Sequence, residues 1–142
     1  MPASAPACPL EDRIALEDLV VAFAHAVDAM DDVGQVLACF TEDGVIDLTG
    51  IGMARFEGHA GIRAFYEGAF AANAHMAHVV SNVAVTAWSG DHAAVRSYVT
   101  AMARGKDGSG ITVHGRYYFG AARTPQGWRF TGYSMDFLIP PG

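Results

Sequence analysis

Histidine is the residue type through which this sequence could carry out acid–base chemistry. Six histidines occur in a chain in which only 17% of the residues are charged. An imidazole titrates near pH 6.5, about neutral, so it can both accept and donate a proton. His78 and His114 each lie in an apolar run that predicts a strand, where an unpaired polar group would be costly. We select these two as candidate catalytic residues and assign His25, His59 and His92 to the surface.

A buried imidazole needs a hydrogen-bond partner, and a carboxylate on a neighbouring helix would serve. Asp28 lies near the end of the first predicted helix, at the edge of its apolar stripe, on the side where the sheet must pack. Periodicity separates it only modestly from Asp31 and Asp32, which are typical of carboxylates at helix ends. Asp28 is therefore the candidate partner, with these two as alternatives.

A metal site is the competing interpretation of the histidines. His75 and His78 have the spacing His-x-x-His, and a carboxylate could complete a facial triad of ligands. The pair falls at a predicted helix–strand boundary, however, where this spacing has little meaning. The sequence contains no His-Glu-x-x-His motif, phosphate-binding loop, dinucleotide fingerprint or nucleophile elbow. We expect neither a metal nor another cofactor.

Composition limits the class of partner. The chain has 142 residues, of which 51% are hydrophobic, a surplus that indicates an apolar cavity or a subunit interface. A net charge of −6 with scattered basic residues argues against nucleic acid. No segment has the roughly 18 consecutive apolar residues of a membrane span. We expect a small hydrophobic organic ligand and a homodimer or homotrimer.

The N-terminus and the cysteines suggest a cytoplasmic protein. Residues 1–9 are rich in proline and alanine and lack signal-peptide features, so they are predicted to form a disordered leader. Residues 10–142 are predicted to form a single domain. Cys8 and Cys39 do not make a disulfide framework and are consistent with reduced thiols.

The elements that must position the candidate residues follow from hydrophobic periodicity. Helical spacing predicts helices over residues 10–30, 32–40 and 58–70, and β-branched and aromatic runs predict strands over residues 44–48, 53–56, 78–88, 93–104, 111–122 and 127–139. Helices followed by adjacent long strands predict an α+β fold with antiparallel pairing and a conical cavity. Its wall is assigned to Phe23, Met53, Phe65, Tyr66, Met102 and Met135, with Tyr98 and Tyr118 as further candidates, although core packing is the alternative for any one of them.

Several segments resemble the SnoaL-like branch of the NTF2-like superfamily over residues 10–137. They are Glu11–Ile14, Ala24–Asp31, Cys39–Gly44, His78–Asn82, Gly115–Tyr117 and Gly127–Phe130. The resemblance implies an NTF2-like cone, in which three N-terminal helices pack on a strongly curved, mixed but mostly antiparallel sheet that encloses a pocket. It is less specific for activity, because the superfamily includes dehydratases, cyclases, isomerases, epoxide hydrolases and binding proteins.

Two members, scytalone dehydratase and lindane dehydrochlorinase, have the most similar site. Both pair an Asp on the first helix with a His at the start of a strand, positions that Asp28 and His78 occupy here. Scytalone dehydratase adds a second His fourteen residues before a strand Trp, as His114 precedes Trp128. The resemblance implies a lyase in which His78 removes a proton, Asp28 orients it and His114 acts as the acid. The dehydratase's two carbonyl-activating tyrosines are replaced by Val27 and Leu48.

Alternatives to elimination use the same pocket. Steroid isomerases of the superfamily place their catalytic Asp near Asp47, but their oxyanion tyrosine corresponds to Phe23, which cannot donate a hydrogen bond. The prediction is therefore a cofactor-independent, dehydratase-like lyase acting on an aromatic, polyketide-like or terpenoid-like molecule. An isomerase, a polyketide cyclase and a non-catalytic ligand-binding domain remain the alternatives.

Overall fold

A computed structural model describes residues 7–142 as three α-helices and a six-stranded sheet. The helices are α1 (Leu10–Ala29), α2 (Val33–Leu37) and α3 (Gly58–Ala72). The strands are β1 (Phe40–Asp47), β2 (Arg55–Glu57), β3 (Asn73–Trp88), β4 (His92–Gly105), β5 (Gly110–Thr124) and β6 (Gly127–Ile139). The predicted α+β, NTF2-like fold is confirmed. The predicted leader falls mainly on residues 1–6, which lie outside the described residues.

The sheet is mixed and open, with the strand order β2-β1-β6-β5-β4-β3. All neighbours pair antiparallel except β1 and β6, which are parallel. The three longest pairings join β3 to β4, β4 to β5 and β5 to β6, as the short turns between these strands require. Because β3 is at the edge of the sheet, part of its backbone is free to hydrogen-bond with something other than a strand.

The core lies between α1 and the inner face of the sheet. Leu16, Val20 and Val27, which follow helical spacing in α1, are each at most 2% exposed. Phe23 is the centre of an aromatic cluster, and its ring lies 5.5–6.2 Å from those of Phe40, Tyr66, Tyr117, Phe119, Phe130 and Tyr133. Most of these contacts are edge-to-face, a favourable arrangement for aromatic rings.

A buried carboxylate connects the start of α1 to three strands of the sheet. Asp12 accepts hydrogen bonds from the indole nitrogens of Trp88 (3.1 Å) and Trp128 (3.2 Å) and from the Arg123 guanidinium (2.7 Å). These bonds lower the pKa of Asp12, with the Arg123 bond contributing most. The first turn of α1 is thereby held in position relative to three strands.

Some element boundaries differ from the prediction for local reasons. Helix α2 is shorter than residues 32–40, because the Asp32 side chain caps it and β1 already begins at Phe40. Strand β3 begins at Asn73, directly after α3 rather than at His78. No helix among residues 7–142 is both long and apolar enough to cross a membrane.

Candidate active site

Asp28 and His78 form a hydrogen-bonded pair between the last turn of α1 and the edge strand β3. Asp28 Oδ1 lies 2.6 Å from His78 Nδ1, and Asp28 Oδ2 accepts the backbone N–H of His78 at 2.8 Å. The second bond uses an N–H group of the kind that an edge strand leaves unpaired. A carboxylate near the negative end of a helix dipole is unfavourable by itself, so the histidine also compensates for its position.

This geometry determines which nitrogen of His78 can react. With a carboxylate as its neighbour, Nδ1 carries the proton, and Nε2 keeps its lone pair. Nε2 makes no hydrogen bond to the part of the chain that the structure describes. The His78 side chain is 14% exposed and that of Asp28 26%, so both are shielded from solvent but accessible. The arrangement leaves Nε2 available to accept a proton from a ligand in the cavity.

His78 lies on the wall of an apolar cavity with an inner and an outer chamber. The inner chamber has a volume of about 130 Å³ and the outer one about 520 Å³. Both chambers are bordered by Met53, Phe65, Ala69, Met76, His78, Ala101 and Val113. Such a cavity, apolar with few polar groups, suits a small hydrophobic ligand.

The structure does not bring His114 to this pair, which corrects the predicted three-residue site. Ala101 on β4 is paired with both His78 and Val113, so these side chains share the inner face. His114 is the next residue and therefore points to the outer face, since successive side chains of a strand alternate. There it is exposed, and its Nδ1 lies 3.4 Å from Thr100 Oγ1.

The predicted cavity wall is correct in part. Met53, Phe65, Tyr66 and Met135 border the inner chamber, and Met102 borders the outer one. Three further predictions require correction. Phe23 is buried in the aromatic core and borders neither chamber. Tyr98 and Tyr118 lie on the outer face of the sheet with Arg116 and Asp136, and the Tyr118 hydroxyl donates to Asp136.

Sequence reasoning missed two tyrosines of the inner chamber, Tyr117 and Tyr133. They border it together with Tyr66, whose hydroxyl lies 3.1 Å from that of Tyr133. The strand pattern contained a signal for Tyr117. Charged Arg116 indicates the solvent side of β5, and period-two alternation then places its neighbour Tyr117 inside.

Burial further favours the protonated form of these three tyrosine hydroxyls. Desolvation raises the pKa of Tyr66 and of Tyr117 well above the usual value, and it raises that of Tyr133 as well. For Tyr117 the neighbouring Tyr133 and the negative charge of Asp28 add to this effect. At neutral pH the three residues are therefore hydrogen-bond donors rather than bases.

Other residues weighed from the sequence do not contribute to this site. Asp47 accepts hydrogen bonds from the backbone and the hydroxyl of Thr49 within a turn, and it borders neither chamber. His75 and His78 lie on opposite faces of β3, and residues 7–142 contain no group of three side chains suited to hold a metal. Burial raises the pKa of Cys39 to about 11, so its thiol is not a nucleophile at neutral pH.

The molecule combines three helices, a mixed six-stranded sheet and a hydrogen-bonded Asp28–His78 pair on a cavity wall. Comparison with known protein families identifies the class to which it belongs. Residues 9–134 match the SnoaL-like domain, and the chain belongs to this family of the NTF2-like superfamily. The chain is similar to a protein from Novosphingobium aromaticivorans whose crystal structure is known and which is provisionally assigned as an aromatic ring hydroxylase. The two are 53% identical, each covers 94% of the other, and the TM-score is 0.93.

More distant structures share the fold. A protein from the same organism, provisionally assigned as a scytalone dehydratase, is 21% identical, with 92% of this chain and 86% of that one covered and a TM-score of 0.82. A type 2 hexachlorocyclohexane dehydrochlorinase is 17% identical, with coverages of 94% and 96% and a TM-score of 0.80. A comparison with curated proteins found no match.

Proposed function

We propose that this protein is a cofactor-independent lyase that eliminates a small leaving group from a hydrophobic, aromatic molecule. The observation that carries the proposal is the 2.6 Å hydrogen bond between Asp28 Oδ1 and His78 Nδ1 on the wall of an apolar cavity. A domain that only binds ligands has no need for a shielded carboxylate–imidazole pair with one ring nitrogen free. The 53% identical relative is provisionally assigned as an aromatic ring hydroxylase, which supports an aromatic ligand.

Because His114 lies on the outer face, His78 serves in both proton transfers of the proposed reaction. Its Nε2 takes a proton from carbon, and the C–H electron pair becomes a C=C bond as the C–O bond on the adjacent carbon breaks. The imidazolium, stabilised by Asp28, then gives the proton to the departing oxygen, which leaves as water. The substrate loses one water molecule, and His78 returns to its neutral form. Use of one base requires hydrogen and hydroxyl to leave from the same side.

Dehydration of 3-hydroxy-1-tetralone tests this proposal, because loss of water gives fluorescent 1-naphthol. We expect the protein to accelerate this reaction, His78→Ala to abolish the acceleration and His114→Ala to retain it. Each proton transfer contributes about 10²–10⁴-fold, so the loss in His78→Ala is large enough to measure. Equal rates for the wild-type protein and His78→Ala would refute the proposed role of the pair.

The same assay separates the alternative functions. An isomerase or cyclase would use the same pair but return the proton to another carbon, so its product would have the mass of the substrate. A hydroxylase would consume dioxygen and a reductant such as NADH in the presence of an aromatic compound. Mass spectrometry of the product and an oxygen electrode distinguish these outcomes from loss of water.

A further inference from the structure

A second groove lies away from the His78 cavity, between α1, α2 and the start of β6. It has a volume of about 660 Å³ and shares no bordering residue with either chamber of that cavity. Most of its wall is apolar and is formed by Leu19, Ala22, Ala26, Ala29, Ala38 and Cys39. The proposed reaction uses none of these residues, so the groove has no role in it.

The apolar part of the groove is long and narrow. Its residues on α1 run from Leu19 to Ala29, which at 1.5 Å per residue span about 15 Å. Alanine side chains leave space along this length, because each is a single methyl group. Leu19, Ala26 and Cys39 are only 6–8% exposed and form the floor. The groove therefore suits an extended alkyl chain better than a compact ring system.

The polar side chains of the groove include a cation and no carboxylate. They are those of His25, Gln35 and Arg129. The Arg129 side chain is half-buried and takes part in none of the ion pairs within residues 7–142. Burial raises the pKa of the Cys39 thiol to about 11, and the positive charge of Arg129 opposes this rise. The guanidinium thus lies close enough to the floor for its charge to act there.

Nearby carboxylates do not supply the missing counterion, although the chain has a net charge of −6. Asp28 binds His78, and the Asp32 side chain accepts the backbone N–H of Gly34 to cap α2. A ligand carboxylate would complement Arg129, since a guanidinium binds a carboxylate through two parallel, charge-assisted hydrogen bonds.

We propose that this groove binds an aliphatic monocarboxylate, with its carboxylate on Arg129 and its alkyl chain along the alanines of α1. The side chains of Gln35 and His25 border the same groove and can donate further hydrogen bonds to the ligand. The alkyl chain is bound by burial of apolar surface against Leu19 and its neighbours. Because the groove and the His78 cavity have no bordering residue in common, this site does not depend on the proposed lyase function.

Titration with octanoate, and with 1-octanol as the neutral molecule of the same chain length, tests the proposal. Binding is followed by NMR through the backbone amides of Ala22, Ala26 and Ala38. We expect octanoate to bind the wild-type protein more tightly than 1-octanol. Arg129→Gln should weaken octanoate binding about tenfold, the lower end for a hydrogen bond to a charged group, and change 1-octanol binding less than about twofold. Arg96→Gln removes an exposed arginine of the outer sheet face and should change neither affinity.

A blocking variant provides the second arm of the test. Ala22 is exposed, so Ala22→Phe should fill the groove without disturbing the core and should abolish binding of both molecules. Equal octanoate affinities for the wild-type protein and Arg129→Gln would overturn the proposal. So would octanoate-induced shifts confined to the amides of His78 and Ala101, which would place the ligand in the other cavity. Sedimentation in which Ala22→Phe converts a dimer into a monomer would also overturn it, because the groove would then be an interface between copies.

Discussion

Replacement of Asp28 by Asn probes the acid–base pair with little change in shape. The carboxylate accepts two hydrogen bonds from His78, one from Nδ1 and one from the backbone N–H. An amide has one acceptor oxygen and one donor NH2 group. If the oxygen keeps the backbone bond, the NH2 group faces Nδ1 and donates to it. The proton of His78 then moves to Nε2, the nitrogen that would act as the base.

The size of the effect follows from two contributions. A hydrogen bond to a charged group is worth about 1.5–3 kcal/mol, and about 1.36 kcal/mol corresponds to tenfold in rate. Loss of imidazolium stabilisation therefore costs about 10- to 150-fold. The inverted tautomer adds to this, so we expect kcat to fall by about 10²–10⁴-fold. The fold should persist, because the backbone hydrogen bond of β3 is retained.

Two measurements check this prediction. The rate of 1-naphthol formation from 3-hydroxy-1-tetralone gives kcat, and the 15N chemical shifts of the imidazole show which nitrogen carries the proton. Asp31→Asn, an exposed carboxylate just beyond α1, is the matched control and should retain full activity. A rate within threefold of wild type, with Nδ1 still protonated, would show that Asp28 does not orient His78.

Three further predictions follow from the placement of other side chains. His114→Ala should change kcat less than about twofold, because His114 borders neither chamber that His78 borders; a tenfold loss would contradict this. Ala101→Phe should fill the cavity and weaken 1-tetralone binding at least about tenfold, with an unchanged circular dichroism spectrum. Asp12→Asn should destabilise the fold by about 1–3 kcal/mol in urea denaturation, since an amide cannot satisfy all three donors. The lowered pKa of Asp12 means that its stabilising contribution is complete above pH 3.8 and is lost as the pH falls through the folded-state value, a dependence that Asp12→Asn should lack.

Local sequence patterns were sufficient to predict the long helix α1 and the four long strands. Helical spacing of Leu16, Val20 and Phe23 identified α1, and β-branched runs between turn residues identified the four long strands. These patterns report burial of one face, which short-range periodicity encodes directly. They did not report the bounds of α2, because the N-cap at Asp32 sets its start and the start of β1 at Phe40 limits its end.

The face of the sheet on which a strand side chain lies was the feature most often predicted wrongly. His114, Tyr98 and Tyr118 were assigned to the cavity, but all three lie on the outer face. A shift of one residue exchanges the faces of a strand, so an error in phase moves each side chain to the opposite side. The charge of Arg116 between His114 and Tyr118 contained the correct phase for β5.

The sequence by itself determined the α+β class, the apolar stripe of α1 and His78 as a candidate base. Its resemblance to the SnoaL-like family favoured Asp28 over neighbouring carboxylates. The tertiary structure alone decided that Asp28 contacts His78 across 50 residues of chain and that His114 does not join them. It also brought Tyr66, Tyr117 and Tyr133 to one end of the cavity. Such convergence depends on strand register and on how helices pack across the sheet, which are long-range properties that no local period encodes.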